Sequence, residues 1–130
     1  PEDDEGLKKL FADVSGNDKL KVEISCLKDE KIPALLNISE ESRRFAEMMK
    51  LYGGPQAKDH EFEEDATLML NSSNKLIGRL RDDCASGQPS DIDVAIARQI
   101  YTLSLLGQRR LSAEELSAFL NDSFSLLERL

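Results

Sequence analysis

Residues 91–107 of this 130-residue chain, DIDVAIARQIYTLSLLG, have helical spacing, and their apolar side chains are not confined to one side. At about 100° per residue, one face carries Ile92, Ala95, Ile96, Ile100, Leu103 and Leu106. A second face, roughly opposite, carries Val94, Ala97, Tyr101 and Leu105. A helix that is apolar on two sides must bury both of them. It is either sandwiched within one domain or shared between the domain and a partner subunit.

The segment that follows is a second amphipathic helix, SAEELSAFLNDSFSLLERL, at residues 112–130. Ser112 and Glu115 have the spacing of a capping box. Its apolar arc is wider than one neighbouring helix covers. Two such helices per chain, paired across a two-fold axis, would close an intersubunit four-helix bundle. We therefore expect a homodimer whose interface includes Leu103, Leu106, Leu116, Phe119, Leu120, Phe124 and Leu127.

The first half of the chain alternates short helices with short strands. An apolar pattern from Leu7 to Val14 predicts a helix that ends at Gly16, after an opening at residues 1–5 that we expect to be disordered. Strands are predicted at Leu20–Ile24, Ile32–Ile38 and Ala66–Leu70.

Ser39 is a suitable N-cap for a helix that runs to about Tyr52, and Gly53-Gly54-Pro55 ends it. Residues 55–65 are polar and charged and predict a mobile loop. Asn71-Ser72-Ser73 would cap the next helix. The whole chain, residues 1–130, is thus predicted to be a single α+β domain with a small three-stranded sheet, packed helices and a C-terminal helical pair.

Composition excludes several functions. The net charge of −8 repels phosphate backbones and anionic lipid, so we expect no nucleic-acid or membrane partner. Cys26 and Cys84 fit reduced thiols in the cytoplasm. His60 lies in an acidic stretch that reads as a solvated loop, and the acidic pairs Asp82-Asp83 and Asp91/Asp93 read as solvated or capping residues. We therefore expect no catalytic, metal or cofactor residue and no enzymatic activity.

The helix after Ser39 carries a stripe of Phe45, Met48, Met49 and Tyr52. Methionine-rich surfaces suit binding to many partners, because the side chain is flexible and polarisable. The alternative is that the stripe packs on the sheet.

Taken in order, three stretches carry a resemblance to a known family: KLKVEISCLKDEKIPALLNISEESRRFAEMMKLYG at 19–53, TLMLNSSNKLIGRL at 67–80, and IARQIYTLSLLGQRRLSAEELSAFLNDSFSLLERL at 96–130. They resemble the C-terminal dimerisation domain of the bacterial heat-shock protein 90 chaperones, the HtpG family. That family has a strand ending in Asn before a helix, here Leu70-Asn71, and a leucine-rich helix closed by Gly, here Leu105-Leu106-Gly107. It often has Pro and His after the strand's Asn, where this chain has Ser72 and Asn74.

The resemblance implies one part of a homodimeric ATP-dependent clamp that assists protein folding under stress. ATP and Mg²⁺ would bind domains that precede this one. The stripe, extended to Phe45, Met48, Met49, Leu51 and Tyr52, would contact unfolded or partly folded client proteins. A stand-alone dimeric adaptor or regulatory domain with no attached ATPase is the alternative.

Overall fold

The computed structural model describes residues 2–52 and 64–130. It is an α+β fold, as predicted, with five helices and a three-stranded sheet in the described parts. The elements are, in order, α1 Glu2–Ser15, β1 Leu20–Ser25, β2 Ala34–Ile38, α2 Glu40–Tyr52, β3 Ala66–Asn71, α3 Lys75–Ala85, α4 Asp91–Leu106 and α5 Ala113–Glu128.

The sheet has the order β1-β3-β2, so the last strand in sequence lies in the middle. β3 is parallel to β1, with Leu20 opposite Ala66, and antiparallel to β2, with Ile38 opposite that same Ala66. β2 begins at Ala34, two residues later than predicted. Alternation along the strands sends Leu36 and Leu68 into the core, while Leu35 on the other face is 51% exposed.

Helices α1 and α4 contact the sheet, α1 at β1 and α4 at β2, and α3 packs against both of these helices to complete the second layer of the domain. The core is aliphatic apart from Phe11 and Tyr101, which agrees with a chain that has few aromatic residues. Its fully buried apolar side chains come from α1, β3, α3 and α4: Leu7, Phe11, Leu68, Leu70, Ile77, Leu80 and Ala97.

Helix α1 begins earlier than predicted and ends where predicted. The prediction that residues 1–5 are disordered is wrong for residues 2–5, because α1 begins at Glu2 and Asp4 forms an ion pair with Arg81 of α3 at 2.7 Å. The predicted stop at Gly16 is confirmed. Gly16 has φ +63°, a left-handed conformation that glycine adopts without the steric cost of a Cβ.

Asn71 is not the helix cap that the sequence predicted. Asn74 caps α3 by accepting from Leu76 and Ile77 N–H. Asn71 is fully buried at the end of β3, where its Nδ2 donates to the carbonyl oxygens of Asp29 and Ile32 at 2.9 and 2.7 Å. Its side chain therefore joins the β1–β2 connection to the central strand through hydrogen bonds.

The last two helices begin where the sequence placed them. Ser112 and Glu115 form the predicted capping box, and an equivalent box formed by Ser90 and Asp93 starts α4. Asp93 is thus a capping residue, and at 2% exposure it is not solvated. Gly107 closes α4.

Candidate functional site

Helices α4 and α5 form a hairpin that leaves a large apolar surface uncovered. Gln99 of α4 donates to the hydroxyl of Ser123 of α5 at 2.7 Å, and Leu126 packs against the core. No α5 residue is buried. Between 44% and 61% of each of the following side chains is exposed, and together we call them the hairpin face: Leu103, Leu106, Leu116, Leu120, Phe124 and Leu127.

Phe119, the remaining residue predicted for the dimer interface, is half-buried. It lies seven residues, about two helical turns, before Leu126 and so on the same side of α5 as that core-facing residue. We therefore leave Phe119 out of the hairpin face.

The predicted division of α4 into two faces is wrong. Ile96 and Ile100 were assigned to the same face as Leu103 and Leu106, yet they are buried with members of the other set. One side of α4 is buried against the rest of the domain, and its apolar residues are Ile96, Ala97, Ile100, Tyr101 and Leu105. Leu103 and Leu106 remain 53% and 46% exposed, so burial within this chain does not account for them.

A second apolar surface lies on α2. We call it the α2 face: Phe45, Met48, Met49, Leu51 and Tyr52, with exposed fractions from 37% to 83%. The alternative that this stripe packs on the sheet is wrong, because none of the five side chains is buried. Exposed apolar residues clustered on one element are typical of interaction surfaces.

Hydrogen bonds from the first turn of α2 connect it to two other parts of the chain. Ser39 caps the helix by accepting from the Ser42 N–H at 3.1 Å, as predicted. The Asp65 N–H donates to the Ser42 hydroxyl at 2.9 Å. The Arg43 guanidinium donates to both the backbone oxygen of Gln108, at 3.2 Å, and its side-chain oxygen.

Arg109, next to Gln108, is the centre of a partly buried ionic cluster. Its guanidinium forms two hydrogen bonds with the Glu115 carboxylate, each 2.9 Å long, and another with Glu64. Burial alone would lower the pKa of Arg109, but the two carboxylates outweigh it and raise the pKa above its ordinary value. Burial raises the pKa of Glu115, while hydrogen bonds from Arg109 and Ser112 outweigh that effect and lower it.

This cluster corrects part of the predicted loop at 55–65. Residues 55–63 lie outside the described part of the chain. Glu64, however, is only 8% exposed and bound to Arg109, and Asp65 is bound to α2, so these two residues have partners elsewhere in the fold. The sequence held no signal for the pairing, since 45 residues separate Glu64 from Arg109.

The described residues provide neither a cluster of metal ligands nor a membrane-spanning helix. Within 2–52 and 64–130, no group of three or more His, Cys, Asp or Glu side chains has the geometry to hold a metal ion. His60 lies outside those ranges. No helix that the structure describes is long and apolar enough to cross a membrane. In comparisons with known proteins, no family model and no curated protein sequence matches this chain.

Proposed function

We propose that this chain is the C-terminal homodimerisation and client-contact domain of an ATP-dependent chaperone of the bacterial heat-shock protein 90 type. The observation that carries the proposal is the hairpin face. Six large apolar side chains on two adjacent helices are each 44–61% exposed in the single chain. Solvated monomers rarely leave such a surface uncovered.

The occupant we propose for the hairpin face is a second copy of the same chain. The face is carried by an antiparallel pair of helices, and a two-fold axis would set two such pairs together as a four-helix bundle. Stable dimers bury roughly 800 Å² per partner, which is about a tenth of the 8572 Å² accessible surface of this chain.

The α2 face supports the client-contact part of the proposal. Its methionines, Met48 and Met49, offer flexible apolar contacts that fit chains of varied sequence. Phe45 and Tyr52 add aromatic area. A surface of this chemistry binds unfolded segments by burying their apolar side chains, without a fixed sequence motif.

The mechanism follows from joining two arms at one end. In the proposed chaperone, nucleotide binds and is hydrolysed in domains that precede this one. Dimerisation here keeps the two arms at a high effective concentration, so closure at their far ends is nearly intramolecular. The chain itself would hold the arms together and contact the client, and we expect it neither to bind nor to hydrolyse ATP.

The alternative function is a stand-alone dimeric adaptor, which the hairpin face also fits. The two functions differ in what α2 does, because an adaptor needs no general affinity for unfolded protein. They also differ in the gene, since only the chaperone encodes an ATP-binding domain upstream of Pro1.

Light scattering at micromolar concentration tests the proposal. The expected mass is twice the 14.5 kDa of one chain. A mass of 14.5 kDa that does not rise with concentration would overturn it. Binding of a reduced, carboxymethylated lactalbumin, which is permanently unfolded, separates the chaperone from the adaptor.

A further inference from the structure

The direction of α2 is set by contacts at its beginning. Among the described residues, none from α2 belongs to the buried core. Ser39 donates its N–H to the Asp65 carbonyl at 2.9 Å, and Arg43 reaches Gln108 one turn further on. Tyr52, at the far end of the α2 face, lies nine residues beyond Arg43, or about 14 Å along the axis. A small change at the first turn therefore displaces the α2 face by a larger distance.

The partner of Arg43 belongs to the hairpin. Gln108 lies in the link of residues 107–112 that joins α4 to α5, the two helices that carry the hairpin face. The next residue of the link, Arg109, holds Glu115 in the first turn of α5 and Glu64 beside Asp65. The link is thus bound to α5 on one side and to the first turn of α2 on the other.

The space between α2 and the link is not closely packed. A cavity of about 250 Å³ lies there, lined by Ala46 and Glu47 of α2, by Arg43, and by Gln108 and Arg109 of the link. The Arg43 guanidinium reaches across this space to donate to Gln108. Because the cavity leaves room beside that contact, the first turn of α2 can shift relative to the link without displacing core side chains.

We propose that the contact between Arg43 and Gln108 couples the two apolar surfaces, so that dimerisation and the binding of unfolded protein strengthen each other. A partner subunit on the hairpin face fixes the link, and the link then fixes the first turn of α2. Less conformational freedom is left to lose when a client binds. Linkage requires the reverse effect to have the same size. The inference rests on the proposed function, because it concerns regulation of the same two surfaces.

The test measures the dimer dissociation constant by sedimentation of fluorescently labelled chain, with and without saturating reduced, carboxymethylated lactalbumin. The unfolded protein should lower the dimer dissociation constant at least about fivefold, which is the smallest effect commonly seen for coupled binding sites. Arg43→Gln should still dimerise and still bind the unfolded protein, but the ratio of its dissociation constants without and with the unfolded protein should fall towards one. Arg44→Gln removes the same charge from the adjacent, exposed position and should keep the full factor.

Two outcomes overturn the coupling alone. In the first, the unfolded protein leaves the dimer dissociation constant of the wild type unchanged. In the second, it lowers the dissociation constant of Arg43→Gln as much as that of the wild type. A wild-type chain that forms no dimer, or binds no unfolded protein, overturns the proposed function and the coupling with it. If Arg43→Gln folds poorly by circular dichroism, Gln108→Ala removes the side-chain acceptor from the other side of the contact. It must then reduce the factor, and an unchanged factor refutes the coupling.

Discussion

Replacing Phe124 with alanine tests the hairpin face at its largest side chain. Phe124 is 61% exposed in the single chain and lies outside the core, so its truncation should leave the monomer folded. In a two-fold dimer each copy of Phe124 loses its exposed area to the partner. The variant therefore loses two apolar contacts for every interface.

The size of the effect follows from that exposure. Complete burial of a phenylalanine side chain stabilises by roughly 1.5–3 kcal/mol, so covering 61% of it contributes about 0.9–1.8 kcal/mol per copy. Two copies give about 1.8–3.6 kcal/mol, and each 1.4 kcal/mol is a factor of ten in affinity. The dimer dissociation constant should rise roughly twenty- to four-hundredfold.

Sedimentation equilibrium over a dilution series measures that constant directly. Asn121→Ala is the matched control, because Asn121 is exposed on the same helix but outside the hairpin face. The reasoning is refuted if Phe124→Ala and Asn121→Ala dissociate at the same concentration. It is equally refuted if Phe124→Ala unfolds as a monomer, since the side chain would then belong to the fold.

Three further predictions concern the α2 face, the core and the alkaline limit of stability. Changing Met48 and Met49 together to serine should weaken binding of unfolded lactalbumin while costing less than the roughly 2–5 kcal/mol of a core methionine truncation. Asn71→Ala should lower the free energy of unfolding in urea by about 2 kcal/mol, because it leaves the partly buried backbone groups of Leu27, Asp29 and Ile32 without their hydrogen-bond partner. Burial, reinforced by the charge of Glu64, raises the pKa of Tyr101 to about 12 from 10.0. Stability from neutral Tyr101 is therefore complete below pH 10 and is lost as the pH rises to about 12, a loss that Tyr101→Phe should remove.

Each of these has a matched comparison. Leu35→Ser removes an apolar side chain as exposed as Met48, both at 51%, and should not affect binding of the unfolded protein. Asn37→Ala, at an exposed position of β2, should cost little where Asn71→Ala costs much. An alkaline unfolding profile that is the same for Tyr101→Phe and the wild type would contradict the role given to Tyr101.

The features predicted correctly from the sequence are those that depend on residues close to one another in the chain. Ser39, Ser112 and Gly107 mark helix ends because capping acts within one turn of the chain. The first strand followed from the alternation of apolar Leu20, Val22 and Ile24 with polar residues, which is also a local pattern. These features needed no knowledge of what lies across the fold.

The larger errors involve partners distant in sequence. Asn71 was taken as a cap because its contacts with residues 29–32 come from the other side of the sheet. The pairing of Arg109 with Glu64 has no local signature. Helical geometry gave the apolar positions of α4 but not which of them the domain would cover, and so Ile96 was grouped with Leu103.

The central position of β3 has a consequence for how the chain folds during synthesis. β1 and β2 do not pair with each other, so neither has a neighbouring strand until β3 has been made. Ala66, which pairs with Leu20, is synthesised 46 residues later. At 5–20 residues per second, this delay is roughly 2–9 s of translation. During that interval both strands, together with the apolar residues of α1, lack the sheet that covers them. The emerging chain is therefore itself an unfolded apolar segment for several seconds before residue 71 completes the sheet, and α3 and α4 add their core residues only later.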